Sequence, residues 1–139
     1  MTRWEGKRIL MIGAARQGIA LTRYLAKQGA AVILNDRRSE EELVEARQEL
    51  DEWEITWVTG SHPAEVLDDI DMVCLSGGIP LDLPIVQTAI KRNIPLSNDS
   101  QIFLEAAPCP VIGITGSAGK TTTTALVGEI AKRHYEYRK

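Results

Sequence analysis

Ile9-Leu10-Met11-Ile12-Gly13-Ala14-Ala15-Arg16-Gln17-Gly18 runs from an apolar strand-like segment through a glycine turn into a segment of helical periodicity. That order opens a strand–helix–strand unit whose strand ends carry a nucleotide. The dinucleotide fingerprint G-x-G-x-x-G has three glycines; this chain keeps Gly13 and Gly18 but has Ala15 between them. The Ala15 methyl stands where backbone must approach a pyrophosphate, which weakens the case for NAD(H) or NADP(H).

Outward from this turn, apolar β-branched runs of strand length alternate with helical segments. Strands are expected at Arg8 to Ile12, Ala31 to Asn35, Ile55 to Val58, Met72 to Leu75, Pro95 to Ser97 and Val111 to Ile114. Leu21, Tyr24 and Leu25 share one helix face, ended by Gly29, and Leu43, Ala46, Arg47 and Leu50 mark a second helix capped by Ser39. His62-Pro63-Ala64-Glu65 reads as a helix start with Pro at its first position and His62 as its cap. Val86, Ala89 and Ile90 form the next stripe, and Ser100 to Ala106 a last short helix. The pattern predicts an α/β fold, a parallel five-stranded sheet with helices on both faces of Rossmann-like type, followed by one more strand, a loop and a helix. The prolines of Ala106-Ala107-Pro108-Cys109-Pro110 mark the boundary, giving units 1–107 and 108–139. Trp53 and Trp57 are expected to flank the third strand and cover core.

Composition narrows the function. With 44% hydrophobic and 25% charged residues in 139, the chain is an ordinary globular one. The formal net charge of −3 is dispersed, with Arg37-Arg38 followed by Glu40-Glu41-Glu42, so no basic face suits a nucleic acid. No run reaches the roughly 18 apolar residues of a membrane span, and Met1 to Gly6 lacks a signal-peptide core, so a cytoplasmic location is expected. Cys74 and Cys109 have no metal-type spacing and read as free thiols.

Two further signals concern nucleotides. Asp36 ends the second strand 23 positions after Gly13, near the spacing at which an acidic residue meets a ribose. Downstream, Val111-Ile112-Gly113-Ile114-Thr115-Gly116-Ser117-Ala118-Gly119-Lys120-Thr121 is a strand, a small-residue loop and a helix start. Loops of this kind point backbone N–H groups at phosphates, so Gly116, Ser117, Ala118 and Gly119 are candidate ATP contacts. Lys120 can reach the β and γ phosphates, and the Thr121 hydroxyl can hold Mg²⁺. Ile114 stands where the standard Walker pattern has glycine.

Gly13 to Gly18, Asn35-Asp36, Leu75-Ser76-Gly77-Gly78-Ile79-Pro80, Gly60-Ser61-His62-Pro63, Asp99-Ser100-Gln101-Ile102-Phe103 and the Thr115 to Thr121 loop together resemble the Mur ligases of peptidoglycan synthesis, in particular their D-glutamate-adding branch. The chain departs from it at Gly77, where proline is common, and at Gln101, where glutamate is common. The resemblance implies a first domain that holds the UDP part of UDP-N-acetylmuramoyl-L-alanine. Ala15, Arg16 and Gln17 would lie against the uracil or diphosphate, Asp36 and Arg37 would face the uracil, and Gly78 would line the pocket. It implies an ATP- and Mg²⁺-dependent ligase, acting as a monomer, that activates the substrate carboxylate as an acyl phosphate and adds D-glutamate. The family's remaining catalytic groups would follow residue 139, so this stretch alone is expected to bind the UDP moiety without catalysing. Two other readings remain: another member of the ligase family, and a non-catalytic nucleotide-sensing module that binds NAD.

Overall fold

The computed structural model describes residues Thr2 to Glu136. The chain divides into two compact units, one up to Ala106 and one from Ala107 onward.

The first unit is built on five strands: β1 (Arg8–Ile12), β2 (Ala31–Asp36), β3 (Ile55–Thr59), β4 (Met72–Leu75) and β5 (Leu96–Asn98). All pair in parallel, in the order β3-β2-β1-β4-β5. The chain builds outward from β1 to β3 on one side, then crosses back to β4 on the other. The carboxyl ends of β1 and β4 therefore flank the switch point, where open parallel sheets hold ligands.

Alternation along the central strand explains why the sheet is covered twice. Ile9 and Met11 join one apolar cluster with Leu25, Leu34 and Leu43, while Leu10 and Ile12 join another with Val73, Val86 and Ile85. Successive side chains of a strand face opposite ways, so a run apolar at every position demands helices on both faces. Helices α1 (Arg16–Lys27), α2 (Val44–Gln48) and α4 (Asp99–Ala106) contribute to the first cluster, and α3 (Pro84–Lys91) to the second. Trp53 and Trp57 pack against the first cluster from the β3 side, with the Arg47 guanidinium 5.0 Å over the Trp57 ring.

Local chemistry sets the element ends. Gly29, at φ +88°, follows α1 in the left-handed conformation that only glycine adopts freely. Ser39 and Glu42 form a reciprocal box: the Ser39 amide donates to Glu42 Oε2 at 2.9 Å and the Glu42 amide to Ser39 Oγ at 3.4 Å. The segment they start opens as a 3-10 turn, Glu41–Leu43, before α2.

Several expectations are corrected. The segment after His62 is one 3-10 turn, Ala64–Leu67, preceded by Pro63 in extended conformation and capped by no side chain. The connection to β4 buries Leu67 and Ile70. In α3, Ile85 rather than Ile90 joins Val86 and Ala89 in the core, and Ile90 is exposed. Val111 to Ile114 forms no strand. Among the described residues the second unit supplies no other extended segment, so no ladder can satisfy its backbone groups. That unit consists of the loop through Gly119 and helix α5 (Lys120–Glu136).

Candidate functional site

The glycine turn after β1 carries the site. Gly13 has φ +95° and its amide donates to the Asn35 carbonyl at 2.8 Å. A Cβ at Gly18 would sit 1.9 Å from the Gly13 carbonyl oxygen, so Gly18 is required by backbone approach and Gly13 by its positive φ. Helix α1 opens after Ala15 with no capping side chain and no acidic residue in its first turn. Its N-terminus combines amide donors with the positive end of the helix dipole, a suitable seat for a diphosphate.

This turn opens onto a crevice of about 330 Å³ at the strand ends. Gly13 and Ala15 follow β1, Asp36 ends β2 with Arg37 and Arg38 after it, His62 follows β3, and Ser76 and Gly78 follow β4. Small-molecule sites of roughly this size and larger are common in such folds. Of the residues expected to hold a uridine nucleotide, Ala15, Asp36, Arg37 and Gly78 meet here. Arg16 and Gln17 line a larger, mainly apolar groove between α1 and α4, together with Ala20, Tyr24, Ile102 and Phe103. Ala15 borders both. Gln17 nonetheless reaches the crevice edge, since its Oε1 lies 2.1 Å from where a Cβ of Gly77 would be.

The Asp36 carboxylate is already engaged. Oδ2 accepts from the Ala14 amide at 2.7 Å and from an Arg38 guanidinium nitrogen at 2.9 Å; Oδ1 accepts from the Arg38 amide at 2.9 Å and from Arg38 Nε at 3.1 Å. Burial pushes this acid up, but the Arg38 side chain and the two backbone donors outweigh it and hold it down to about 2. A carboxylate so fully bonded organises the turn and the arginine, leaving Arg37 and Arg38 to present donors.

Sequence reasoning missed three crevice residues. Arg38 reads in the sequence only as part of an arginine pair; the signal was its place two residues beyond a strand-end acid. Ser76 is 4% exposed and lines the crevice, and its hydroxyl has no hydrogen-bond partner among the described residues. His62, expected to cap a helix, instead places Nδ1 2.5 Å from Asn35 Oδ1. The signal for that contact was a polar residue, Asn35, inside an otherwise apolar strand.

In the second unit, Gly116 and Gly119 take φ +152° and +78°. Lys120 folds back so that Nζ donates to the Gly116 carbonyl, and the Thr123 amide donates to the Gly119 carbonyl at 2.9 Å. Ser117, Ala118 and Thr121 are exposed with them. Among the described residues no three His, Cys, Asp or Glu side chains converge as a metal cluster, and no helix is long and apolar enough to cross a membrane.

Fold and crevice define an α/β domain of the doubly wound, Rossmann-like class. A family model described as the N-terminal domain of MurD-like Mur ligases matches residues 7–98, and the chain belongs to that family. It is 39% identical over 130 residues to a UDP-N-acetylmuramoylalanine--D-glutamate ligase of Alkaliphilus metalliredigens, and 41% identical over 131 residues to that of Clostridioides difficile. These alignments cover 92% and 93% of the chain but 29% of each relative, so the chain spans under a third of their length. Among solved structures, a pseudomurein peptide ligase type C from Methanothermus fervidus aligns with TM-score 0.59 and 25% identity, covering 85% of this chain and 24% of that one. A shikimate dehydrogenase from Aquifex aeolicus, at TM-score 0.52 and 18% identity over 78% of this chain and 51% of that one, shares the fold.

Proposed function

We propose that the chain is the substrate-holding part of an ATP-dependent ligase that adds D-glutamate to UDP-N-acetylmuramoyl-L-alanine in the cytoplasm, for peptidoglycan synthesis. The observation that carries this reading is the uncapped N-terminus of α1 beside Arg37 and Arg38 in one crevice. Diphosphate oxygens are strong acceptors, and here amide donors, a helix dipole and two guanidinium groups lie together. The names of the relatives support the choice of substrate.

Within that reading, the first unit binds and orients the UDP moiety. Ala15 closes on the diphosphate, Gly78 leaves room for the nucleoside, and Asp36 keeps Arg38 and the Ala14 amide in place. Arg16 and Gln17 would guide the part of the substrate that leaves the crevice. The glycines at 116 and 119 hold the second loop in left-handed backbone, where amides can curl around phosphates, so the residues fit ATP. Gly116, Ser117, Ala118 and Gly119 would contact its phosphates, Lys120 would neutralise their charge, and the Thr121 hydroxyl would give Mg²⁺ one of its ligands. Bound there, ATP would supply the phosphoryl group that activates the substrate carboxylate, with D-glutamate as the amine that attacks. The protein acts as a monomer.

Calorimetric titration of the chain with UDP-N-acetylmuramoyl-L-alanine, beside NADH as control, tests the reading. Saturable binding of the UDP substrate with NADH no tighter than millimolar, about −4 kcal/mol, is expected. Micromolar NADH binding without UDP-substrate binding would replace it with the sensing-module reading.

A further inference from the structure

Asn35 and His62 form a relay that ends in the crevice. Asn35 is fully buried at the end of β2, and its Nδ2 donates to the Val58 carbonyl at 2.8 Å and to the Ser61 carbonyl at 2.7 Å. Two carbonyl acceptors on one atom fix which end of the amide is nitrogen. The oxygen, Oδ1, therefore faces His62 Nδ1 at 2.5 Å and can only accept. The neutral imidazole must carry its proton on Nδ1, leaving Nε2 with a bare lone pair.

Position gives that lone pair a target. The diphosphate seat is the N-terminus of α1, after β1, and a nucleotide extends from there toward the neighbouring strand ends. β2 lies next to β1 and β3 beyond it, with Asp36 paired to Thr59. The Gly60 amide, donating to the Arg38 carbonyl at 2.8 Å, ties the loop after β3 to the loop after β2. His62 is thus the crevice residue that follows β3, the contributing strand farthest from the phosphate seat.

We propose that His62 is a specificity-determining residue that selects a uracil-type base by accepting a hydrogen bond from its N3–H through Nε2. A cytosine-type base carries a lone pair at N3, and two lone pairs set against each other in a half-buried crevice are unfavourable. The proposal rests on the reading of the crevice as a uridine-nucleotide site and adds the group that reads the base.

The test uses UDP and CDP on the full chain near pH 8. The wild type should prefer UDP by about tenfold or more, and His62→Ala should bring that ratio close to one. If His62 only supports Asn35, the variant will bind both nucleotides more weakly with an unchanged ratio, and the proposal fails. Imidazole ¹⁵N spectra of the wild type give a readout that does not depend on the variant folding. They should show Nδ1 protonated and an Nε2 resonance that moves with UDP but not with CDP; the opposite tautomer, or an Nε2 indifferent to UDP, overturns the assignment. Equal binding of UDP and CDP by the wild type overturns it while leaving the crevice reading intact, and if neither nucleotide nor UDP-N-acetylmuramoyl-L-alanine binds, both fall.

Discussion

The Ala14 amide donates to Asp36 Oδ2 at 2.7 Å, joining the glycine turn after β1 to the end of β2. The same carboxylate holds Arg38 through three further donors. Asp36→Ala removes the acceptor for a buried amide and frees the arginine. We expect a loss of about 1 to 3 kcal/mol in urea unfolding and at least tenfold weaker binding of UDP-N-acetylmuramoyl-L-alanine. Unchanged unfolding and unchanged calorimetric affinity would remove Asp36 from the site.

Acid should reveal the same group. Its carboxyl is held at about 2 in the folded chain against an ordinary value of 3.8. A depressed acid stabilises the fold fully above its unfolded value, and that contribution fades as pH falls from about 4 toward 2. The contribution is on the order of 2 kcal/mol. Unfolding midpoints measured between pH 5 and pH 2, roughly, should fall for the wild type more than for Asp36→Ala; parallel curves would contradict the assignment.

Gly18 and Gly77 separate backbone constraint from side-chain constraint. A Cβ at Gly18 meets the Gly13 carbonyl oxygen at 1.9 Å, while one at Gly77 meets the movable end of Gln17 at 2.1 Å. Gly18→Ala must shift the turn, at a cost of about 1 to 3 kcal/mol or more. Gly77→Ala needs only a new Gln17 rotamer and should stay within roughly 1 kcal/mol of wild type. Chemical denaturation of both variants checks this, and equal costs would show that the turn yields as easily as the side chain.

Strands β1 to β4 were legible because each is a largely apolar run of strand length, and a run without polar alternation such as Ile9 to Ile12 demands cover on both faces. The turn was legible from Gly13 and Gly18. What escaped was set by side-chain contacts, which periodicity does not record: Asn35 fixes His62 across 27 residues, and Arg38 bends back onto the nearby Asp36. Val111 to Ile114 failed for the converse reason. Its composition suits a strand, but a strand exists only where another can pair with it.

The two thiols should react at very different rates. Burial pushes the Cys74 thiol up to about 12, whereas Cys109 is exposed. Thiolate is the reactive species, so in native protein an aromatic disulfide reagent should titrate Cys109 quickly and Cys74 only as the sheet opens. Cys109→Ser should abolish the fast phase. Two fast thiols would place Cys74 outside the core.

The last prediction concerns turnover by the 139-residue chain. Its second loop has glycines in the backbone geometry that phosphates favour, yet Gly116 to Thr121 are exposed, and Lys120 Nζ bonds to the Gly116 carbonyl. Phosphoryl transfer depends on charges fixed in a site that excludes water, and an attraction between unit charges weakens severalfold from a half-buried position to bulk solvent. With Val111 to Ile114 unpaired, no strand among the described residues of its own unit clamps the loop from that side. The chain should therefore hold the UDP substrate while releasing no phosphate from ATP in response to D-glutamate. A phosphate-release assay with ATP, Mg²⁺, D-glutamate and UDP-N-acetylmuramoyl-L-alanine checks this. Release that needs both substrates and disappears in Lys120→Ala would show that the loop is competent as it stands.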